Sequence, residues 1–508
     1  MAKGAEEISG IGSFKYLIIR PEAAGIGDLW RFMTRGGGGG RGVVKFLESS
    51  DDKVTINGGM TADHRWVIVV SVIIRKMISL FATPMELTGY LVDFVLNLLS
   101  LNGNLVGLFF NFLQGKLVIP QRESETFIST IGHLDGRIDL HKSEHFSHEN
   151  GESSFTKAEA AMRIQMGNKT LQILCILASK LAYENASVVE NVVVNHWKMH
   201  FVGFYNCWNA YQKERSTQVF ILCDKSEDAD VIIISFRGTE PFDANDWSTD
   251  FDYSWFEIPE LGKFHLGFLE ALGLGTRANA ASFQYHLQQK DIKFASSEGT
   301  GSNAELTAYY AVRIKLNDLL AQNKNAKFIV TGHSLGGALA ILFPTVLLLH
   351  EENEMMKRLL GIYTFGQPRI GDMKLGEFME KQLNHPEPKY FRLVYCNDLV
   401  PRLPYDDKIF LFKHFGMCLY YDSLYLEQEM QEQPNKNYFG LKYLIPQHLN
   451  AVWELIRALT MGCTNGKDYV EGWFSILLRA VGLVMPGLSA HSPRDYVNSI
   501  RLGRERVA

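Results

Sequence analysis

The sequence contains no C-x-x-C pair, no G-x-G-x-x-G fingerprint and no P-loop. Nothing therefore points to a dithiol redox centre, a zinc ribbon or a nucleotide cofactor. Its six cysteines are scattered, several of them in apolar runs, which suits buried thiols in a reducing compartment better than a disulfide framework. Charge of one sign is also lacking: 51 Lys+Arg against 56 Asp+Glu leave −5, with acids and bases interspersed. That balance excludes the electrostatic footprint of a nucleic-acid partner. The opening MAKGAEEISG carries acids where a secretory signal would carry a basic and then an apolar stretch, so a cytosolic chain is expected. What is present is length and apolar content. With 508 residues, 46% apolar and 21% charged, the chain has room for two to three globular domains, or one large domain with an appendage.

The most informative stretch is Lys327–His350. A short apolar strand (Phe328–Val330) runs into Gly332-His333-Ser334-Leu335-Gly336, and an apolar helix follows from Leu335. This is the G-x-S-x-G elbow, in which a strained strand-to-helix turn lifts a serine hydroxyl above a sheet edge. The glycines are needed because a side chain there would strike the neighbouring strand or helix. The helix N-terminus offers N–H groups to developing negative charge.

Around the elbow the chain alternates strands and helices. Val219–Cys223, Val231–Phe236, Leu360–Phe365 and Tyr390–Tyr395 read as strands, and Leu306–Leu320 as a helix. That alternation predicts an α/β fold with a mostly parallel sheet covered on both faces. A serine needs a base, and the base an acid to orient it; on α/β-hydrolase sheets these follow in the order Ser, Asp or Glu, His. Asp398 is the first acid directly after a strand. Of His414, His448 and His491, the last sits in a loop ahead of a C-terminal helix, where a base belongs. The assignment is Ser334, Asp398 and His491, with His414 the alternative base.

The N-terminal part reads differently. Trp66–Ile74 is an unbroken apolar run, and Phe94–Gly115 holds 22 residues without a charge, long enough to reach across a bilayer core. Asn97, Asn102, Asn104 and Asn111 oppose a simple span, and Asn102-Gly103-Asn104 is a turn signal. A helical hairpin dipping into one leaflet is expected, which divides the chain into an anchor region, 1–125, and a catalytic domain, 126–508. Pro446–Met461 reads as an amphipathic helix, and Trp473–Met485 as a further apolar segment. Glu240–Pro259 is polar but studded with Phe242, Trp247, Phe251, Trp255 and Phe256, the pattern of a mobile loop on which something apolar docks. His133, His141, His145 and His148 gather among acids without an apolar shell or a second ligand pair, so no metal site is expected. The pentaglycine Gly36–Gly40 carries no chemistry.

Taken together, Phe236-Arg237-Gly238-Thr239, Gly332–Ala338, Asn397-Asp398-Leu399-Val400-Pro401 and His491 before Asp495-Tyr496 resemble the class 3 lipases. Gly132–Leu140, Pro401–Lys408 and the apolar extension are similar to plant oil-body-associated triacylglycerol lipases. The resemblance implies an α/β-hydrolase fold, no cofactor, and an oxyanion hole from the Thr239 and Leu335 backbone N–H groups. It also implies an interfacial lid around Trp247, an acylglycerol substrate, and work at the lipid-droplet surface, with the endoplasmic reticulum membrane as a further location. A phospholipase A1 or galactolipase shares the same elbow and triad. A catalytically silent scaffold is the reading from outside enzymology, and the presence of all three triad candidates speaks against it.

Overall fold

A computed structural model describes residues 14–35, 45–50, 62–140, 169–209, 211–288, 306–406, 412–438 and 440–505. The pentaglycine and His141, His145 and His148 lie outside them. The first strands, β1 (Lys15–Ile19) and β2 (Leu47–Ser49), precede three helices: α1 (Ala62–Leu80), α2 (Ala82–Leu101) and α3 (Asn104–Leu113). The short α4 (Thr130–Leu134) and the longer α5 (Lys169–Leu181) lead into β3 (His200–Asn209), β4 (Glu214–Cys223) and β5 (Val231–Phe236). After α6 (Ala244–Asp250) come β6 (Trp255–Ile258) and β7 (Gly262–His265), then α7 (Ala308–Gln322). The elbow region is β8 (Lys327–His333) and α8 (Leu335–Leu349), followed by β9 (Leu359–Phe365), β10 (Gly371–Asp372) and β11 (Tyr390–Tyr395). The chain closes with β12 (Phe412–Lys413), β13 (Met417–Tyr421), β14 (Leu426–Met430), α9 (Leu444–Asn465), α10 (Trp473–Gly482), α11 (Pro493–Leu502) and β15 (Arg504–Glu505).

The main sheet has nine strands in the order β15-β14-β13-β11-β9-β8-β5-β4-β3. Its centre, β5, β8, β9, β11 and β13, is parallel throughout. The strands β5 and β11 are buried at every position, so neither alternates apolar with polar residues; β5 is apolar but for Ser235, and in β11 the buried Arg392 donates to Phe415 O and Gln431 O. Successive side chains still go to opposite faces. Ile232, Ile234, Phe328 and Val330 pack with α7 and α8, whereas Ile233 and Ile329 pack with α5 and α11. The expected mostly parallel α/β sheet is present, with antiparallel pairs added at both edges.

A second sheet, in the order β12-β10-β7-β6-β1-β2, departs from the sequence reading. The expected mobile loop Glu240–Pro259 is ordered in its second half. Trp255–Ile258 forms β6, paired on one side with β1 and on the other with β7, and Trp255 and Phe256 are buried. Their aromatic rings fill a core instead of awaiting a ligand. Trp255 packs with Val67, Ile68, Val69 and Val72 of α1, and Phe256 with the core beneath α7 and α8. The apolar run Trp66–Ile74 is thus in large part core, and the N-terminal region shares a sheet and a hydrophobic cluster with the catalytic part across the expected 125/126 boundary.

The uncharged run Phe94–Gly115 is two helices, not one. Asn102 closes α2, Gly103 adopts φ 75°, and α3 starts at Asn104. Among the described residues no single helix is long and apolar enough to cross a membrane; Arg65–Leu80 and Ala82–Leu101 pass such a test only together, bent by 55° at their break. Of the asparagines that oppose a span, Asn97 and Asn102 are buried and have partners. Asn102 donates to Leu98 O and Val118 O and accepts from Val118 N. Asn97 donates to Asp93 O and Ile128 O and accepts from Ile128 N. Each amide stitches the returning chain to α2, so the amide is satisfied internally.

A buried ion pair locks α1 to the catalytic region. Arg75 reaches Asp252 at 2.8 Å, with side chains 3% and 0% exposed, and Arg277 reaches the other Asp252 oxygen at 2.8 Å. Removing one partner of such a pair strands a buried charge. Arg75→Met is expected to cost about 3 kcal/mol, read as a lowered denaturant midpoint. An unchanged midpoint would show that α1 is not integral to the fold.

Candidate active site

The register of the parallel strands brings the expected residues to one sheet edge. Phe236 pairs with Gly332, and His333 with Phe365, so the segments that leave β5, β8 and β9 emerge side by side. Ser334 sits in the turn at φ 59° and ψ −132°, a strained conformation for a residue with a Cβ. Its N–H donates to Phe365 O at 2.9 Å. At Gly336 a Cβ would strike the carbonyl oxygen of Phe236, so only glycine lets α8 start this close to β5. Asp398 follows β11 and His491 precedes α11.

Ser334 Oγ lies 2.8 Å from His491 Nε2, and His491 Nδ1 lies 2.8 and 3.0 Å from the two Asp398 oxygens. With the carboxylate accepting from Nδ1–H, Nε2 is left to accept the serine proton. Asp398 also accepts from Val400 N at 2.9 Å and from the Tyr496 hydroxyl. Gly366, at φ 61°, backs this pair: a Cβ there would come within 2.9 Å of Asp398 Oδ2 and His491 Cε1. His414, the alternative base, instead bonds Pro401 O through Nε2, and burial holds it well below the usual histidine range. His448 is exposed and bonds Leu444 O of its own helix.

Tyr183 escaped the sequence reading, as did the roles of His333 and Tyr496. Tyr183 OH lies 2.8 Å from His333 Nδ1, and His333 Nε2 lies 2.9 Å from His491 O. A carbonyl only accepts, so Nε2 carries the proton and Tyr183 donates to Nδ1. Burial, with His491 beside it, keeps His333 neutral, well below the ordinary histidine value. Its ring lies 4.5 Å from the His491 ring, so His333 holds the loop that carries His491. Tyr183 lies 150 positions upstream and no local motif marks it. For Tyr496, the Asp-Tyr that follows His491 is a readable signal.

Gly238 packs against the elbow, where a Cβ would meet His333 O and come within 3.0 Å of Ser334 Cβ. Thr239 therefore lies next to the serine, and its hydroxyl lies 3.4 Å from Asp250 Oδ2. Leu335 opens α8 on the other side. Trp247 lies on α6, half-buried, with its indole donating to Pro241 O at 3.1 Å. The helix α6 is pinned from below: Ser71 donates to Phe251 O at 2.6 Å and Arg75 to Ser248 Oγ at 3.3 Å. Burial pushes Asp246 on this helix up to about 7, with Asp243 adding to the rise.

A family model described as Lipase (class 3) matches residues 233–408, a span that holds Thr239, Ser334, Leu335 and Asp398 but stops short of His491. The chain is 56% identical to triacylglycerol lipase OBL1 of Nicotiana tabacum, over 98% of this chain and 96% of that protein. It is 57% identical to triacylglycerol lipase OBL1 of Arabidopsis thaliana, over 96% and 95% of the two chains. The chain belongs to the class 3 lipase family. The Ricinus communis relative is 45% identical over 97% of this chain and 96% of its own length. As a class 3 lipase the chain is a serine carboxylic-ester hydrolase, the chemistry for which a serine, a histidine and a buried carboxylate in hydrogen-bonded sequence are suited.

In this lipase Ser334→Ala and His491→Ala are each expected to lower ester hydrolysis by about 10³-fold or more. His414→Ala should stay within about threefold of the parent at equal folded concentration. Tyr496→Phe should lower kcat by about tenfold with KM nearly unchanged, because the phenol acts on Asp398 and not on substrate. Full activity in His491→Ala with loss in His414→Ala would overturn the assignment.

Proposed function

We propose that this chain is a triacylglycerol lipase that works at the surface of a lipid droplet, with Ser334, His491 and Asp398 as its catalytic triad. The observation that carries the reading is the 2.8 Å approach of Ser334 Oγ to His491 Nε2, with Asp398 on the far nitrogen. The near full-length likeness to three triacylglycerol lipases supports the substrate class.

Ser334 Oγ attacks the ester carbonyl carbon as His491 Nε2 takes its proton. Asp398, accepting from Nδ1–H, stabilises the imidazolium without being protonated itself. The carbonyl oxygen becomes an oxyanion that accepts from the Leu335 and Thr239 backbone N–H groups, helped by the N-terminal end of α8. On collapse, His491 gives its proton to the departing glycerol oxygen, leaving the acyl group on Ser334. Water, deprotonated by the same histidine, then releases the fatty acid and restores the serine.

Ser334 is 1% exposed, so an acylglycerol reaches it only after a covering segment moves. In this reading α6, with Trp247, is that lid, and an apolar interface favours its open state. The α2–α3 hairpin is the droplet anchor. On its outer helix Leu105, Val106, Phe109, Phe112 and Leu113 are all exposed, and no residue of α3 is buried. A contiguous surface of this kind is costly in water and favourable among acyl chains. A hairpin suits a droplet, whose single phospholipid leaflet covers oil and leaves both ends of the segment on the aqueous side.

The test is fatty-acid release by the purified full chain from triolein emulsion, phosphatidylcholine and galactolipid. Triolein is expected to be cleaved at least about tenfold faster than either polar lipid, with the rate rising sharply once substrate passes its solubility limit. Preference for phosphatidylcholine or galactolipid would replace the substrate class with that of a phospholipase A1 or galactolipase.

A further inference from the structure

The helices α9 and α10 are built inside out. On α9, Ile445, Leu449, Ile456 and Leu459 are 71%, 64%, 49% and 62% exposed, whereas its buried positions are Gln447, Ala451, Glu454, Ala458 and Met461. On α10, Trp473, Leu477 and Val481 are 58%, 52% and 54% exposed, and the buried positions are Ser475, Arg479 and Gly482. Spacings of three and four residues place each apolar set on one helical stripe. A helix that meets water on its outside shows the reverse arrangement.

Every charged side chain of the two helices is turned inward and paired. Glu454 accepts from Tyr395 OH at 3.0 Å, and Arg457 donates to the same hydroxyl at 2.8 Å. Arg479, 1% exposed, reaches Glu471 and Asp495 at 2.7 Å each. The outer stripe thus carries no Asp, Glu, Lys or Arg over the whole of α9 and α10. Lys442 and Lys467 stand exposed just outside the two ends of α9, where phospholipid head groups would lie. The face also continues toward the hairpin. Phe474 and Leu478 of α10 pack on Ile131 and Leu134 of α4, and Thr130 of α4 donates to Asp93 of α2 at 2.6 Å.

We propose that α9 and α10 form a second lipid-binding surface, lying flat among the acyl chains of a phospholipid monolayer beside the α2–α3 hairpin. This rests on the droplet reading above and deepens it. The inner polar side of α9 bars it from spanning, so it lies in the plane as an interfacial helix. The Trp453 and Trp473 rings are 43% and 58% exposed, suited to the boundary between acyl chains and head groups. Two patches on one rigid body bind more tightly than either alone and fix its orientation. Through Arg479 and Asp495 the second patch is joined to α11, four residues beyond His491, so the orientation it fixes is that of the triad.

The experiment is flotation of the full-length protein with triolein particles coated in phosphatidylcholine, comparing the parent with Leu449→Glu/Ile456→Glu/Leu477→Glu. The expected result is a loss of particle affinity of at least about tenfold, with the unfolding midpoint and monomeric state unchanged. Quencher groups on the acyl chains of the coating phosphatidylcholine should also dim the parent's tryptophan fluorescence, and less so in Trp453→Phe/Trp473→Phe. Undiminished flotation of the triple variant, with no difference in quenching, would overturn the second surface while leaving the hairpin anchor standing. A parent dimer that the substitutions split would also overturn it, assigning the face to a second copy of the chain. Triolein hydrolysis by the parent in mixed detergent micelles reports separately on the lipase reading.

Discussion

Ser334 is held at φ 59° between β8 and α8, a backbone state that costs roughly 1–3 kcal/mol and persists only where the surroundings enforce it. The enforcement is traceable. Hydrogen bonding to Phe365 O ties the serine to β9, Gly336 lets α8 ride against the end of β5, and Gly238 lets the strand β5 exit pass over the elbow. Each of these depends on the parallel register of β5, β8 and β9. The same register puts Gly366 behind Asp398 and His491. The strain at one residue and the layout of the central sheet are therefore one constraint.

A second layer keeps the histidine in place. Tyr183, His333 and the backbone of His491 form one chain of hydrogen bonds, and Tyr496 and Val400 satisfy the carboxylate that orients the ring. All of these groups are buried or nearly so, where an unmatched donor or acceptor is expensive and a matched one rigidifies. His333 remains neutral there, so it adds no charge beside the His491 imidazole.

Much of this was legible in the sequence, for definite reasons. The strands β5 and β11 were readable at their observed bounds because β-branched and aromatic residues dominate both, as suits strands buried on both faces. That Ser334, Asp398 and His491 would meet was readable from the elbow and from the chain order Ser, Asp, His on such sheets. What stayed hidden depends on partners far away in sequence. The two-residue strands β10 and β12 exist through pairing with β7 and with each other, and β6 looked like an aromatic loop because β1, its partner, lies some 240 residues upstream. Periodicity in Pro446–Met461 located the apolar stripe of α9 but not the side it faces. The direction was decided by Glu454 and Arg457, whose partners Tyr395 and Arg479 lie inside the protein. A helical pattern identifies two faces; only the partners of its polar residues tell which one meets the solvent.

If the buried, strained Ser334 is the nucleophile and His491 activates it, the pair has a chemical signature. A p-nitrophenyl alkylphosphonate tests this directly, because it transfers its phosphonyl group to an activated serine and releases a coloured leaving group. Peptide mass mapping after reaction with the full chain on a triolein emulsion should place the label on Ser334, in stoichiometric yield with the nitrophenolate released. His491→Ala should react far more slowly. Label on another residue, or labelling of Ser334 at an equal rate without His491, would show that Ser334 is not a nucleophile activated by His491.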